Sequence, residues 1–111
     1  MSDNPIFDTI KKDLSENDVV LYMKGTKTMP QCGFSATVAE VLKRSGIEDY
    51  KDINVLADAE IREGIKQFTN WPTIPQLYVK GEFIGGCDIV REMYQSGELA
   101  QLFKDKGLAA A

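Results

Sequence analysis

The chain has two cysteines and no histidine, and this restricts the covalent and metal chemistry open to it. Within one copy, a Ser-His-Asp triad, a Cys-His nucleophile pair and a zinc site of four Cys/His ligands are all impossible. What remains is thiol chemistry or binding at Cys32 and Cys87. Cys32 stands where an aperiodic, breaker-containing loop, Gly25 to Gln31, gives way to a helical stripe. The free backbone N–H groups and positive dipole end of a helix start favour a thiolate there. The plainer alternative is a small buried hydrophobe. Position 35 is serine, so Cys32-Gly33-Phe34-Ser35 lacks the second thiol that releases a substrate as an internal disulfide. Ser35 on its own is no more than a first-turn residue bonding to backbone.

Two further segments carry groups a ligand could use. Trp71-Pro72-Thr73-Ile74-Pro75 sets a proline directly before an expected strand, where its missing N–H costs no ladder bond. A cis bond there would turn the Ile74 backbone toward Cys32 and offer it to an extended, peptide-like ligand; two prolines in an ordinary turn is the alternative. Gly85-Gly86-Cys87-Asp88 closes a hairpin and opens a helix. Its N–H groups suit a carboxylate and Asp88 an amino group, while an N-cap with a buried cysteine behind it explains the same residues. A Cys32–Cys87 disulfide is a third reading, which a reducing compartment disfavours. Lys24 and Arg62 read by default as surface cations.

These groups need elements to hold them. Ile6, Phe7, Ile10 and Leu14 recur at helical spacing, with Asn4 as cap and Pro5 at the first helical position. Val19 to Met23 reads as a strand buried on both faces. Phe34, Val38, Val41 and Leu42 predict a helix from about Gly33 to Ser45. Tyr50 to Val55 predicts a second strand, and Ile61, Ile65 and Phe68 a helix from near Asp58 to before Asn70. Gln76 to Val79 and Glu82 to Ile84 flank Lys80-Gly81, the signal of an antiparallel hairpin. Asp88 then caps a helix through Val90 and Tyr94 to Gly97, and a last helix carries Leu99, Leu102 and Phe103, with Gly107 to Ala111 frayed. The order implies an α/β fold of thioredoxin-like architecture: a four-stranded mixed sheet flanked by helices on both faces, its first two strands parallel.

Composition sets the outer bounds. With 111 residues, 43% hydrophobic and 27% charged, one domain spanning 1–111 is expected. Folding at this size buries about 65% of the unfolded surface, enough to dispense with a disulfide scaffold or structural metal. Thirteen basic against 17 acidic residues give a net charge of −4, which argues against nucleic acid as a partner. No apolar run approaches the ~20 residues of a membrane span, and the N-terminus lacks the pattern of an export signal, so a soluble, cytoplasmic chain is expected.

Taken together, Lys24-Gly25-Thr26, Cys32-Gly33-Phe34-Ser35, Trp71 through Val79 and Gly85-Gly86-Cys87-Asp88 resemble a monothiol glutaredoxin of the Cys-Gly-Phe-Ser class, in its single-domain form. The resemblance covers nearly the whole chain. It implies a glutathione-binding protein that, as a homodimer, holds one bridging [2Fe–2S] cluster with two glutathione thiols as external ligands, and that stores and transfers the cluster. By position, Cys32 would ligate iron, Lys24 and Arg62 would pair with the glycyl carboxylate of glutathione, and Ile74 would supply backbone bonds. Cys87 and Asp88 would hold the γ-glutamyl end, and Trp71 would shape the groove. A BolA-type protein and apo iron-sulfur acceptor proteins are the implied partners. A [2Fe–2S] cluster wants four thiolates, which two protomers and two glutathiones supply. The alternative is an enzyme, a glutathione-dependent thiol-disulfide oxidoreductase with Cys32 as catalytic nucleophile. Lys27 stands where many relatives have proline, which predicts a looser Gly25 to Gln31 loop.

Overall fold

A computed structural model of the chain describes residues 5–108. Its elements follow the order α1 (Pro5–Glu16), β1 (Val19–Met23), α2 (Gly33–Arg44), β2 (Lys51–Asn54), α3 (Ala59–Thr69), β3 (Gln76–Val79), β4 (Glu82–Gly85), α4 (Cys87–Ser96) and α5 (Glu98–Asp105). Side-chain alternation along β1 sets the layering, because both faces of this strand are buried. Val19, Leu21 and Met23 pack with Val38 and Leu42 of α2, Val90 of α4 and Leu99 and Phe103 of α5. Val20 and Tyr22 point the other way, into a second core with Ile10 and Leu14 of α1 and Ile61 and Ile65 of α3. The thioredoxin-like expectation is met: four strands in the order β2-β1-β3-β4 lie between two helical layers.

Register follows from this burial. β1 runs parallel to β2, with Leu21 opposite Asp52, and antiparallel to β3, with Leu21 opposite Leu77. β3 and β4 form the expected hairpin, turning through Lys80 at φ 52° and Gly81 at φ 80°. Two consecutive left-handed residues suit the twist of a two-residue hairpin loop. The helix ends are chemically marked. Asp58 accepts from the N–H groups of Glu60 and Ile61 at 2.9 and 3.3 Å, and Asn70 ends α3 in the left-handed region at φ 56°.

Three expectations need correcting or bounding. Asp88 does not cap α4: Gly86 occupies the cap, Asp88 lies in the first turn, and no side chain makes the cap bond. Gly107 and Leu108 are not frayed, since their N–H groups reach Lys104 O at 3.0 Å and Phe103 O at 2.8 Å and Leu108 packs on the core. The cap assigned to Asn4 and the tail from Ala109 lie outside the described residues.

The loop after β1 is tighter than predicted. Gln31 N–H reaches Lys24 O at 2.8 Å, and Thr26 and Met29 exchange backbone bonds at 3.2 and 3.1 Å. Lys27, expected to loosen this loop, ties it down. Its N–H donates to Asp52 Oδ2 at 2.9 Å, and its ammonium donates to Tyr50 O at 2.7 Å and Glu48 O at 3.1 Å while lying 4.3 Å from the Tyr50 ring centroid. The lysine therefore stiffens the loop through tethers to β2 and the segment that leads into it.

Candidate functional site

Cys32 is the cap residue of α2, extended at φ −149° and ψ 136°, and it is partly exposed. The nearby N–H groups hold its thiol below the usual cysteine range. Ser35 N–H contributes most, with smaller help from Phe34 N–H, the Lys24 charge and the Ser35 hydroxyl, against a desolvation that opposes them. Ser35 is fully buried and its hydroxyl accepts the Lys24 N–H at 3.0 Å, so it fastens the end of β1 to the first turn of α2. A serine at position 35 is thus a structural bolt as well as a missing thiol. Cys87 is the opposite case: burial pushes its thiol up, which marks it as a neutral wall group.

The groove beside Cys32 has a volume of about 490 Å³ and brings together all the residues singled out for a ligand: Lys24, Cys32, Arg62, Ile74, Cys87 and Asp88. Topology accounts for the convergence, since Lys24 follows β1, Cys32 opens α2, Arg62 lies on α3, and Cys87 opens α4 behind the β3–β4 hairpin. The Ile74–Pro75 peptide is cis, and Ile74 and Pro75 line the groove immediately before β3. Backbones approach closely here. A Cβ added to Gly86 would stand 3.3 Å from Pro75 O and 3.4 Å from Trp71 Nε1, so the start of α4 lies tightly against this wall. Trp71 shapes the groove as expected, braced by Phe83 at a centroid distance of 5.5 Å.

The charges in the groove are unevenly compensated. Among the described residues, no acidic side chain pairs with Lys24 or Arg62, whereas Asp88 meets Arg91 at 3.4 Å on an exposed surface. A groove lined by two cations without an acidic partner and by a carboxylate in the first turn of α4 offers charges of both signs to a ligand. The lining also includes residues outside the candidate set, Lys66 and Phe34 among them. Lys66 stands four residues after Arg62 on α3, so helical spacing from Arg62 was the signal that could have found it. Phe34 is 63% exposed beside Cys32, an apolar side chain that the core does not claim. No grouping of three or more Cys, Asp or Glu suited to a metal ion occurs among the described residues, and no helix there is long and apolar enough to cross a membrane.

Comparison with known proteins agrees with this geometry. The glutaredoxin family model matches residues 19–84, which span β1 through most of β4 and include Cys32 and the cis-proline segment. A probable monothiol glutaredoxin 2 from Rickettsia conorii is 55% identical over 104 residues, covering 94% of this chain and 96% of the relative. The solution structure of reduced poplar apo GrxS14 superposes with a TM-score of 0.79 at 46% identity, over 90% of this chain and 91% of that one. A buckwheat glutaredoxin solved as its glutathione complex shares the fold at 24% identity, with a TM-score of 0.79 over 93% of this chain and 91% of that one. With one thiol at the head of α2, serine at position 35 and these relatives along nearly its whole length, the chain belongs to the monothiol glutaredoxins.

Proposed function

We propose that this protein binds glutathione in the groove beside Cys32 and, as a homodimer, carries one bridging [2Fe–2S] cluster for storage and delivery to apo iron-sulfur proteins. The observation that carries the reading is the donor arithmetic of the groove. One thiol favoured as thiolate stands beside two cations that have no acidic partner, with no second thiol at position 35. The chain alone falls three thiolates short of the four that a [2Fe–2S] cluster takes, and Cys87, its thiol pushed up by burial, does not make up the deficit. A second protomer and two glutathione thiols supply the remainder. Lys24 and Arg62 then take the glycyl carboxylate, the Ile74 backbone pairs with the peptide portion, and Cys87 and Asp88 receive the γ-glutamyl end. The exposed Met29 and Phe34 on either side of Cys32 support a face that a second protomer covers. The cluster is cargo, and what the protein supplies is a stabilised thiolate, an anchored glutathione and a dry wall. The reading includes a cytoplasmic setting and a BolA-type protein as partner.

The test is anaerobic reconstitution with iron, sulfide and glutathione, followed by visible absorption and size-exclusion elution, beside a control without glutathione. A coloured dimer that requires glutathione is expected. A colourless monomer under every condition overturns the proposal.

The lowered Cys32 pKa favours a second reading, a glutathione-dependent oxidoreductase. In that reaction the Cys32 thiolate attacks the glutathione sulfur of a protein mixed disulfide and the protein leaves as thiolate. A second glutathione thiolate then attacks the Cys32–glutathione disulfide, restoring Cys32 and releasing glutathione disulfide. Fast turnover of a small glutathione mixed disulfide selects this reading over the carrier.

A further inference from the structure

Gln76 opens β3 directly after Pro75, and its side chain is fully buried. A primary amide in such a place is costly unless its hydrogen-bonding positions are filled. Here they are. Nε2 donates to Trp71 O at 3.1 Å and Thr73 O at 3.2 Å. Oε1 accepts from the Tyr78 hydroxyl at 3.1 Å and lies 3.1 Å from Thr69 Oγ1. Thr69 Oγ1 also accepts the Trp71 N–H at 3.2 Å and lies 2.8 Å from Ile65 O, so its one proton is shared between Ile65 and Gln76. With two carbonyls on one side and two hydroxyls on the other, the amide has a single orientation.

This knot joins three things that the backbone alone leaves separate: the end of α3, the turn through Trp71 and Thr73, and the first residue of β3. Its donors address carbonyls of two groove-lining residues, Trp71 and Thr73. An apolar side chain would fill the same volume but would leave both carbonyls unpaired. We propose that Gln76 is a positioning residue for the groove: through its two N–H donors it fixes the Trp71–Pro75 wall against which glutathione lies. Its link to glutathione rests on the function proposed above, whereas the fixation of the wall is measurable without ligand.

Gln76→Glu tests this with nearly unchanged shape. The carboxylate keeps the half that accepts from Tyr78 and Thr69 but presents an oxygen to two carbonyls that need donors. Tyr78 is the titratable group bonded to this position, and Tyr22, with Asp13 near it, stands behind Tyr78. Burial raises both phenols far above the ordinary range, so they stay neutral throughout. The measurements are amide exchange over residues 70–75 in the ligand-free protein, emission of Trp71, the chain's one tryptophan, and calorimetric titration with glutathione, each against wild type. At ~pH 8, wall exchange is expected to be ~10-fold faster and glutathione binding ~10-fold weaker. At ~pH 6 both deficits are expected to shrink, as the buried carboxyl takes a proton and donates one of the two lost bonds.

Wild-type exchange and binding in the variant at ~pH 8 would overturn the proposal, as would equal acceleration of exchange in β1, which would mean general loosening. Should Gln76→Glu not fold, Gln76→Met removes both donors without adding a charge. Faster wall exchange is then expected, and unchanged exchange overturns the inference. If wild type fails to bind glutathione, the functional reading fails, while the exchange data still decide whether Gln76 holds the wall.

Discussion

The two cysteines line one groove yet lie on opposite sides of the usual thiol range, for reasons local to each. At Cys32 the largest effect is the Ser35 N–H, not the Ser35 hydroxyl, which contributes least of the favourable groups. Ser35→Ala is therefore expected to raise the pH midpoint of Cys32 alkylation only slightly, leaving it below that of free cysteine, about 8.5. A midpoint restored to the free value would show that the hydroxyl, and not the helix-start amides, carries the effect. Cys87 is expected to alkylate slowly, with a midpoint above the free value, because burial disfavours its thiolate. Mass spectrometry of each cysteine peptide after a timed pulse of iodoacetamide separates the two. The same logic bears on ligation. The thiol already stabilised as an anion gives up its proton to a metal at lower cost, so Cys32→Ser is expected to abolish cluster uptake, while Cys87→Ser leaves the ligating thiol in place.

At the scale of elements, the groove depends on how the loop after β1 is closed. Gly25 sits at φ +90°, and a Cβ there would stand 2.5 Å from both Met29 O and Gln31 N. Neither backbone atom can move aside without opening the loop that ends at Cys32. Gly25→Ala is expected to cost about 2 kcal/mol or more in urea unfolding and to slow Cys32 chemistry by displacing it. Asn54 makes a gentler test of the same element. Its Oδ1 accepts from Gly25 N–H and Leu56 N–H, each at 2.9 Å, so Asn54→Ala orphans two donors and is expected to cost ~1–2 kcal/mol. A loss well below this would mean that water or Lys27 holds the loop instead.

The features legible in sequence were those with a local cause. The β-branched run Val19–Val20, the Lys80-Gly81 turn and the Asn70 stop each act within a few residues. Lys27 was misread because its partners, Glu48 and Tyr50, lie more than 20 residues on and are met only after β1 and β2 pair. Asp88 was misread because a capping side chain and a first-turn acidic residue look alike until the hairpin fixes where α4 begins. The resemblance singled out six residues that line one groove, whereas nothing in the sequence pointed to the knot at Gln76. It uses two backbone carbonyls, which have no signature in the side-chain sequence.

At the scale of the whole molecule, the question is how many chains a cluster needs. The described residues offer one stabilised thiolate and no grouping of three ligands, so the proposed cluster closes only across two copies. Each copy has a radius of gyration of 13.2 Å, and the apolar side chains it leaves exposed near Cys32, Met29 and Phe34, are too few for a large hydrophobic interface. Dimerisation should then be linked to cargo. Ligand that binds only the paired state stabilises that state by mass action, and its removal returns the equilibrium to the monomer. The holo protein is expected to elute as a dimer that bleaches and shifts to monomer when an iron chelator is added, with far-ultraviolet circular dichroism unchanged because each domain has its own two cores. Withdrawing glutathione alone should have the same effect, since two of the four thiolates leave with it. A dimer that persists after complete bleaching would place the interface in the protein surface itself and would remove the link between cluster release and dissociation.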